Sequence, residues 1–436
     1  MCKECDLVKG LSRRDFLRYT LMGTGIAALG PFGNMMPNAS AEPSMMPPGS
    51  QNIAVVINLY GGNDGFNTVV PVNLANYYLQ RGALALDPLV DPLISLNTPP
   101  GPTNTNYMLH PALTNIGQLW TEGSLAIVNK VGYPTANLSH FLSQDIWSYG
   151  VRGNFSGLPI NRSGWIARFA DLYAQTPTGA VSVYQGRPLD FVGGAVATPF
   201  QVQSLGRFDF QVDNSYPDNH LHRIETIKNT LAATSRTGLS DEIATAISQA
   251  HDLSGQVQQA VGTFNDPGTY GNTNLGRYLR DIAILIEGGF DTQIFFTGFG
   301  GFDHHSNQLG NHYNLLARLD NEVGAFADNM KALGVWNQMV IAVVSEFGRR
   351  NYANGSAGTD HGTANSILFL GGAVNGGVYG PDYTEADLGT DETKRYADYE
   401  IDFRSLYKEV LQGHLNVDPA PIFPEQQTYD GVLGIV

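Results

Sequence analysis

Ile53-Ala-Val-Val-Ile-Asn-Leu59 runs straight into Tyr60-Gly-Gly-Asn-Asp-Gly-Phe-Asn67, and this join decides how the chain folds. The first part is a short apolar run rich in β-branched residues, as expected of a strand buried on both faces. The second is a glycine-loosened loop that places an acid, Asp64, just past the strand. The same arrangement recurs downstream. Ser124 to Val131 is a second apolar run, leading through Gly132-Tyr-Pro134 to Ser139-His140-Phe141. A strand around Thr292 to Thr297 opens into Gly298-Phe-Gly-Gly-Phe-Asp-His-His-Ser306. Met339 to Val344 ends in Ser345-Glu346-Phe-Gly-Arg-Arg350, and Gly358-Thr-Asp-His-Gly362 precedes a strand from Ser366 to Leu370.

Helical patterns separate these runs. Phe141, Ile146 and Trp147 share helical spacing, and Leu221 to Ala233, Asp241 to Val261 and Leu275 to Glu287 also read as helices. His312 to Leu333 is amphipathic, with Leu315, Leu316, Leu319, Val323, Phe326, Met330 and Leu333 on one stripe and Gly334 as its stop. Strands alternating with helices predict an α/β fold, a doubly wound, mostly parallel sheet with helices on both faces. In such sheets ligands bind beyond the carboxyl ends of the strands. The segment from about 154 to 271 contains a possible strand, Val181 to Tyr184, and reads as an insertion or cap on the domain spanning 52–436.

The first 41 residues read as a twin-arginine signal, with 42–51 as a linker. Ser12-Arg13-Arg14-Asp15-Phe16-Leu17-Arg18 precedes a modestly apolar stretch, Tyr19 to Gly30, and Ala39-Ser40-Ala41 offers small residues for cleavage. The apolar stretch is well short of the roughly 20 residues that span a bilayer. The expectation is export by the twin-arginine translocase to the periplasm or beyond, without stable membrane insertion. Both cysteines, Cys2 and Cys5, fall in this signal, so the mature chain has neither disulfide nor thiolate ligand. Removing the signal takes the net charge from −15 to −17. Such an acidic chain is a poor partner for nucleic acid or anionic lipid.

Asp64, Asp303, His305, Glu346, Asp360 and His361 all sit in glycine-flanked loops at strand ends or between elements. Oxygen and imidazole donors on such loops suit one or two divalent cations: Zn, Mn, Mg or Ca. The neighbouring His304 points away, because successive side chains seldom share a direction. Ser139 is a candidate nucleophile at the start of a helix, where an anion is favoured, or else a plain N-cap. His140 either binds substrate or packs. Arg349 and Arg350 stand close enough to Glu346 to clamp an oxyanion, though one of them can equally be a surface charge.

Tyr60-Gly-Gly-Asn-Asp-Gly-Phe-Asn-Thr-Val-Val-Pro71, Ser139-His-Phe-x-x-Gln-Asp145, Gly301-Phe-Asp-x-His305, Ser345-Glu-Phe-Gly-Arg349 and Gly358-Thr-Asp-His-Gly362 resemble the hallmarks of the bacterial family called domain of unknown function 1501. The resemblance spans nearly the whole mature chain. It implies the alkaline phosphatase-like fold, shared with sulfatases and phosphoglycerate mutases, whose members hold one or two divalent metals beside a Ser, Thr or modified Cys nucleophile. On that resemblance Asp64 matches the early metal ligand, Ser139 the nucleophile, Asp303 and His305 one ligand pair, and His361 the late histidine. Glu346-Phe347 takes the place of an Asp-His pair. Phe347 cannot ligate, which puts the second metal and hydrolysis itself in question. The implied activity is metal-dependent hydrolysis or transfer of a small anionic phosphate or sulfate ester, with Ser139 attacking and Arg349 steadying the developing charge. The alternative is a non-catalytic exported binding or assembly protein on the same scaffold.

Overall fold

The apolar run after residue 52 forms β1 (Ile53–Tyr60). Its side chains alternate between two hydrophobic cores. Val55, Ile57 and Leu59 enter one, Ala54 and Val56 the other, so a polar residue on either face would be buried without a partner. The computed structural model describes residues 47–99, 101–151, 163–174, 176–194, 199–208, 229, 239–389, 394–423 and 433–436, with the backbone alone for 239–248. The expected signal and the expected helix from Leu221 to Ala233, apart from residue 229, lie outside them. No helix among the described residues is long and apolar enough to cross a membrane.

After β1 come α1 (Gly65–Thr68), β2 (Val69–Val70), α2 (Ala75–Arg81), β3 (Ile94–Asn97), β4 (Thr103–Leu109), α3 (Thr114–Thr121), β5 (Leu125–Gly132), α4 (His140–Tyr149) and α5 (Trp165–Leu172). Next are β6 (Ala180–Val183), β7 (Phe200–Val202), α6 (Leu239–Thr263), α7 (Asn274–Glu287), β8 (Ile294–Gly300) and α8 (Gln308–Ala332). The chain closes with β9 (Met339–Val344), β10 (Asn365–Leu370), β11 (Gly377–Tyr379), β12 (Ile401–Asp402) and α9 (Phe403–Lys408).

Among the described residues the main sheet has nine strands, in the order β11-β5-β10-β9-β1-β8-β6-β7, with β12 also on β5. Every pairing is parallel except the two made by β10, which runs against both β9 and β5. The fold is the mostly parallel sheet with helices on both faces. Residues of α3, α7 and α8 share a core with Val55 and Ile57, and residues of α4, α5 and α9 share one with Val56. Burying each such Val, Ile or Leu contributes about 1.5–3 kcal/mol. Within 154–271, β6 and β7 extend the sheet itself instead of lying over it. A separate antiparallel sheet, β2-β4-β3, was not legible in the sequence. Helix α8 ends as Gly334 predicts: at φ 73° it donates to Lys331, and Val335 donates to Met330.

Candidate metal centre

Strands β1, β8 and β9 are parallel neighbours, with Tyr60 opposite Gly300. The loops that follow them therefore leave the sheet side by side. Gly61 and Gly62 hold positive φ, 119° and 71°. A Cβ at Gly61 would stand 2.6 Å from the Asp303 amide nitrogen, and one at Gly62 would strike the Phe347 ring at 2.3 Å. Glycine alone permits both the backbone angle and the approach. The loop holding Asp360 and His361 folds onto the one holding Asp303, where Thr359 N–H donates to the His304 carbonyl at 3.0 Å. From β5 the chain reaches Ser139, the N-cap of α4, so His140 enters the first turn.

Three histidines meet at Asp303, and each is held from behind. His140 Nδ1 lies 2.9 Å from Glu346 Oε1, His361 Nδ1 2.6 Å from the Leu138 carbonyl, and His305 Nδ1 3.0 Å from Asp360 Oδ1. Carboxylate and carbonyl oxygens only accept, so each Nδ1 is the donor, and a ring in its neutral form turns a bare Nε2 the other way. His305 Nε2 and His361 Nε2 lie 3.0 Å apart, and each lies 3.0 Å from Asp303 Oδ1. His140 Nε2 is 3.3 Å from Asp303 Oδ2 and is buried without a hydrogen-bond partner. One ligand atom from each of His140, Asp303 and His361 falls within 4.8 Å of the others.

Electron-rich atoms crowd together like this only around a shared positive charge, a proton or a metal ion. Neighbouring ligands about 2.1 Å from an octahedral ion stand about 3.0 Å apart, the spacing seen here. Histidines whose far nitrogen is fixed by a carboxylate or carbonyl are the usual metal-site arrangement. The donor set therefore fits a divalent ion, and the orphaned His140 nitrogen is the mark of that fit.

The acids divide into one facing residue and several supports. Asp303 is half-exposed; burial works to raise its carboxyl, but the hydrogen-bonded Arg349 guanidinium holds it well below the usual range. Glu346 was expected as a ligand. It lies instead behind His140, 1 % exposed, with Oε1 accepting from Gly61 N–H, His140 and Gln144 and Oε2 from Ser345. Burial would raise Glu346, and these donors leave it below the ordinary value. Its hydrogen bond in turn raises His140, while burial lowers His361. Asp360, also expected as a ligand, holds His305 through Oδ1 and Arg350 through Oδ2 at 2.8 Å.

Asp64 departs from its expected place. It sits at the same end of the sheet, yet both its oxygens pair with the buried Arg81 and one also accepts from Gln308. Burial opposes its ionisation, but the Arg81 charge prevails and keeps Asp64 below the ordinary carboxylate range. The partners of the Asp64 carboxylate are thus Arg81 and Gln308, and not His140 or His361. His304 turns inward to this second cluster, 6.0 Å from the His312 ring.

Arg349 was expected to steady charge on a substrate. Its side chain is 1 % exposed, and its donors reach the Gly61, Gly62, Phe302 and Thr359 carbonyls and Asp303. It ties three loops together and orients Asp303, a positioning role. Ser139 is exposed, between Leu138, which accepts from His361, and His140. It occupies the N-cap position, but its side chain makes no capping hydrogen bond. Phe347 forms an apolar floor, its ring 4.9 Å from His140 and 4.8 Å from His361.

Sequence reasoning missed His140 as a member of the cluster and Arg81 as the partner of Asp64. The signal for His140 was its i,i+4 spacing with Gln144, which places both on Glu346. Arg81 ends an ordinary polar helix and carries no such sign.

Solved structures resemble the chain at low identity. A protein in the alkaline phosphatase superfamily from Vibrio parahaemolyticus is 10 % identical with a TM-score of 0.33, over 93 % of this chain and 77 % of that one. The PsFucS1 sulfatase from Pseudoalteromonas sp. is 10 % identical, TM-score 0.37, over 85 % and 68 %. The phosphonate monoester hydrolase of Agrobacterium radiobacter is 10 % identical, TM-score 0.37, over 87 % and 78 %. No curated protein matches the chain. Residues 206–423, which carry Asp303, His305, Glu346, Arg349, Asp360 and His361, match the family described as "Protein of unknown function (DUF1501)", and the chain belongs to that family.

Proposed function

We propose that the protein is an exported hydrolase or transferase acting on a small phosphate or sulfate ester, dependent on a divalent metal. The observation that carries this reading is the set of three imidazoles, each fixed at Nδ1 and turned through Nε2 towards Asp303. His140, His361 and Asp303 would hold the ion, with His305 beside them. When bound, such an ion polarises an ester oxygen and favours the ionised form of an attacking group. Glu346, Asp360 and the Leu138 carbonyl keep the imidazoles in the right tautomer, and Arg349 keeps Asp303 ionised. Ser139 stands at the rim with an uncommitted hydroxyl, at the start of a ten-residue helix whose amide ends favour an anion. Its oxygen would form a bond to phosphorus or sulfur as the bond to the departing alcohol breaks. Water or a second alcohol would then take the group from Ser139.

The reading extends to export by the twin-arginine translocase, as residues 12–41 suggest, and to a partner that is a small anionic ester and not nucleic acid. Elemental analysis of natively exported protein should find a divalent metal. Aryl phosphates and aryl sulfates with Mn²⁺, Mg²⁺, Ca²⁺ or Zn²⁺ should show turnover that Ser139→Ala abolishes while the metal stays bound. Folded, metal-loaded protein that turns over none of them would overturn it. One observation favours a non-catalytic binding protein: the Phe347 ring, at the sequence position where the resemblance implies a ligand histidine, packs beside His140 and His361. A cellular phenotype that survives Ser139→Ala but not Asp303→Ala would favour that alternative.

A further inference from the structure

A cavity of about 450 Å³ opens where β6 and β8 end, on the same edge of the sheet as the histidines. Small-molecule sites typically enclose about 300–1,000 Å³. Gly300, three residues before Asp303, forms part of its wall. Tyr184 and Tyr278 line it at 70° to one another, with ring centroids 6.0 Å apart. Tyr184 also stacks on Tyr60, the last residue of β1 before Gly61, at 5.6 Å. The cavity and the histidine cluster are thus built from the same strand ends.

The remaining lining is amide-rich. Gln185, Asn272 and Asn274 are exposed on the cavity wall, and Arg318 is exposed beside them. The chain has a net charge of −15, yet no acid is found among the described residues that line this cavity. The Asn272 and Asn274 oxygens already accept from Arg277, which leaves their NH₂ groups and the Gln185 amide to suit a ligand dense in hydroxyl groups, and aromatic rings suit the C–H face of a saturated ring. The perpendicular tyrosines leave no parallel slot to sandwich a nucleobase. An arginine on an otherwise acid-free wall selects a carboxylate or sulfate substituent.

We infer that this cavity binds an anionic sugar unit, the organic part of the ester whose reacting group lies at Asp303. The inference rests on the ester reading above for its connection to catalysis, and its test is made without catalysis. Protein stripped of metal by chelation is titrated calorimetrically with a uronate trisaccharide, a sulfated trisaccharide, neutral maltotriose and AMP. At least one anionic trisaccharide should bind at least tenfold more tightly than maltotriose and AMP. Arg318→Glu, a change at an exposed position, should weaken that binding at least tenfold. Tyr184→Ala should weaken it about tenfold, with circular dichroism unchanged, and Ser139→Ala should leave it intact. Failure of both anionic trisaccharides to bind, a preference for AMP, or binding indifferent to Arg318→Glu would each overturn the inference. Because no turnover is involved, an inactive hydrolase with an intact sugar site would refute the ester reading alone.

Discussion

Replacing Glu346 by Gln removes one charge at the back of the cluster and little else. The carboxylate accepts from Gly61 N–H at 2.8 Å, His140 Nδ1 at 2.9 Å, Gln144 at 3.2 Å and Ser345 at 3.1 Å. A glutamine of the same shape can keep its oxygen towards Gly61 and His140 and turn its NH₂ towards Ser345 Oγ, so the fold should persist. The His140 bond then falls from charge-assisted, about 1.5–3 kcal/mol, to neutral, about 0.5–1.5 kcal/mol. The loss of about 1–1.5 kcal/mol is roughly tenfold in an equilibrium constant, at the lower edge of the 10- to 100-fold range for outer partners of metal-binding histidines. Glu346→Gln should therefore bind Zn²⁺ or Mn²⁺ about tenfold more weakly in a chelator competition, with thermal unfolding of the metal-free forms as the control. Equal affinity in a folded variant would refute the claim that Glu346 prepares His140 for an ion.

Burial pushes the Asp190 carboxyl from 3.8 up to about 6, even with Ser148 and Trp165 donating to it. Because the folded value exceeds the unfolded one, its favourable contribution is complete below about pH 4 and is lost as pH rises through about 6, a span of about 3 kcal/mol. Urea unfolding of Asp190→Asn should show that pH slope flattened, and an unchanged slope would refute the assignment. Arg349→Lys retains a charge but cannot serve four carbonyls and a carboxylate at once; it should destabilise the fold by about 3–5 kcal/mol in denaturant titration. Gly62→Ala must combine an unfavourable φ with a Cβ 2.3 Å from the Phe347 ring, and should lower stability by about 2–4 kcal/mol in the same measurement.

The central strands were legible because burial on both faces leaves no polar alternation: β1 and β9 lie where unbroken apolar runs place them. Helix α8 was legible from its stripe and its glycine stop. Strand β4, Thr-Asn-Thr-Asn-Tyr-Met-Leu, reads locally as a polar loop, since pairing with β2 and β3 and not composition makes it a strand. The reversed direction of β10 is likewise a matter of connection, absent from the local pattern. Asp303, His305 and His361 could be grouped from their loops because β8 and β10 present those loops at the same edge of the sheet. Glu346 and Asp64 were placed at the right edge but given the wrong partners. Which atom an acid faces is decided by His140 and Arg81, 206 and 17 residues away. Phe141 fits a helical stripe but is 84 % exposed, on the outward face of the first turn of α4.

Arg349 reaches the Gly62 carbonyl across 287 residues of chain, and Glu346 reaches the Gly61 amide across 285. Contacts this distant in sequence close late, after the intervening chain has lost its freedom. The complete histidine cluster accordingly has no local precursor: His140 follows β5 and Asp303 follows β8, so the set closes only once the sheet is assembled. An ion with affinity for the native cluster and none for the open chain would stabilise the whole molecule by mass action, about 2.7 kcal/mol at a hundredfold excess over its Kd. Occupancy would then report completed folding, and a chain stalled short of the native sheet would carry no metal at all.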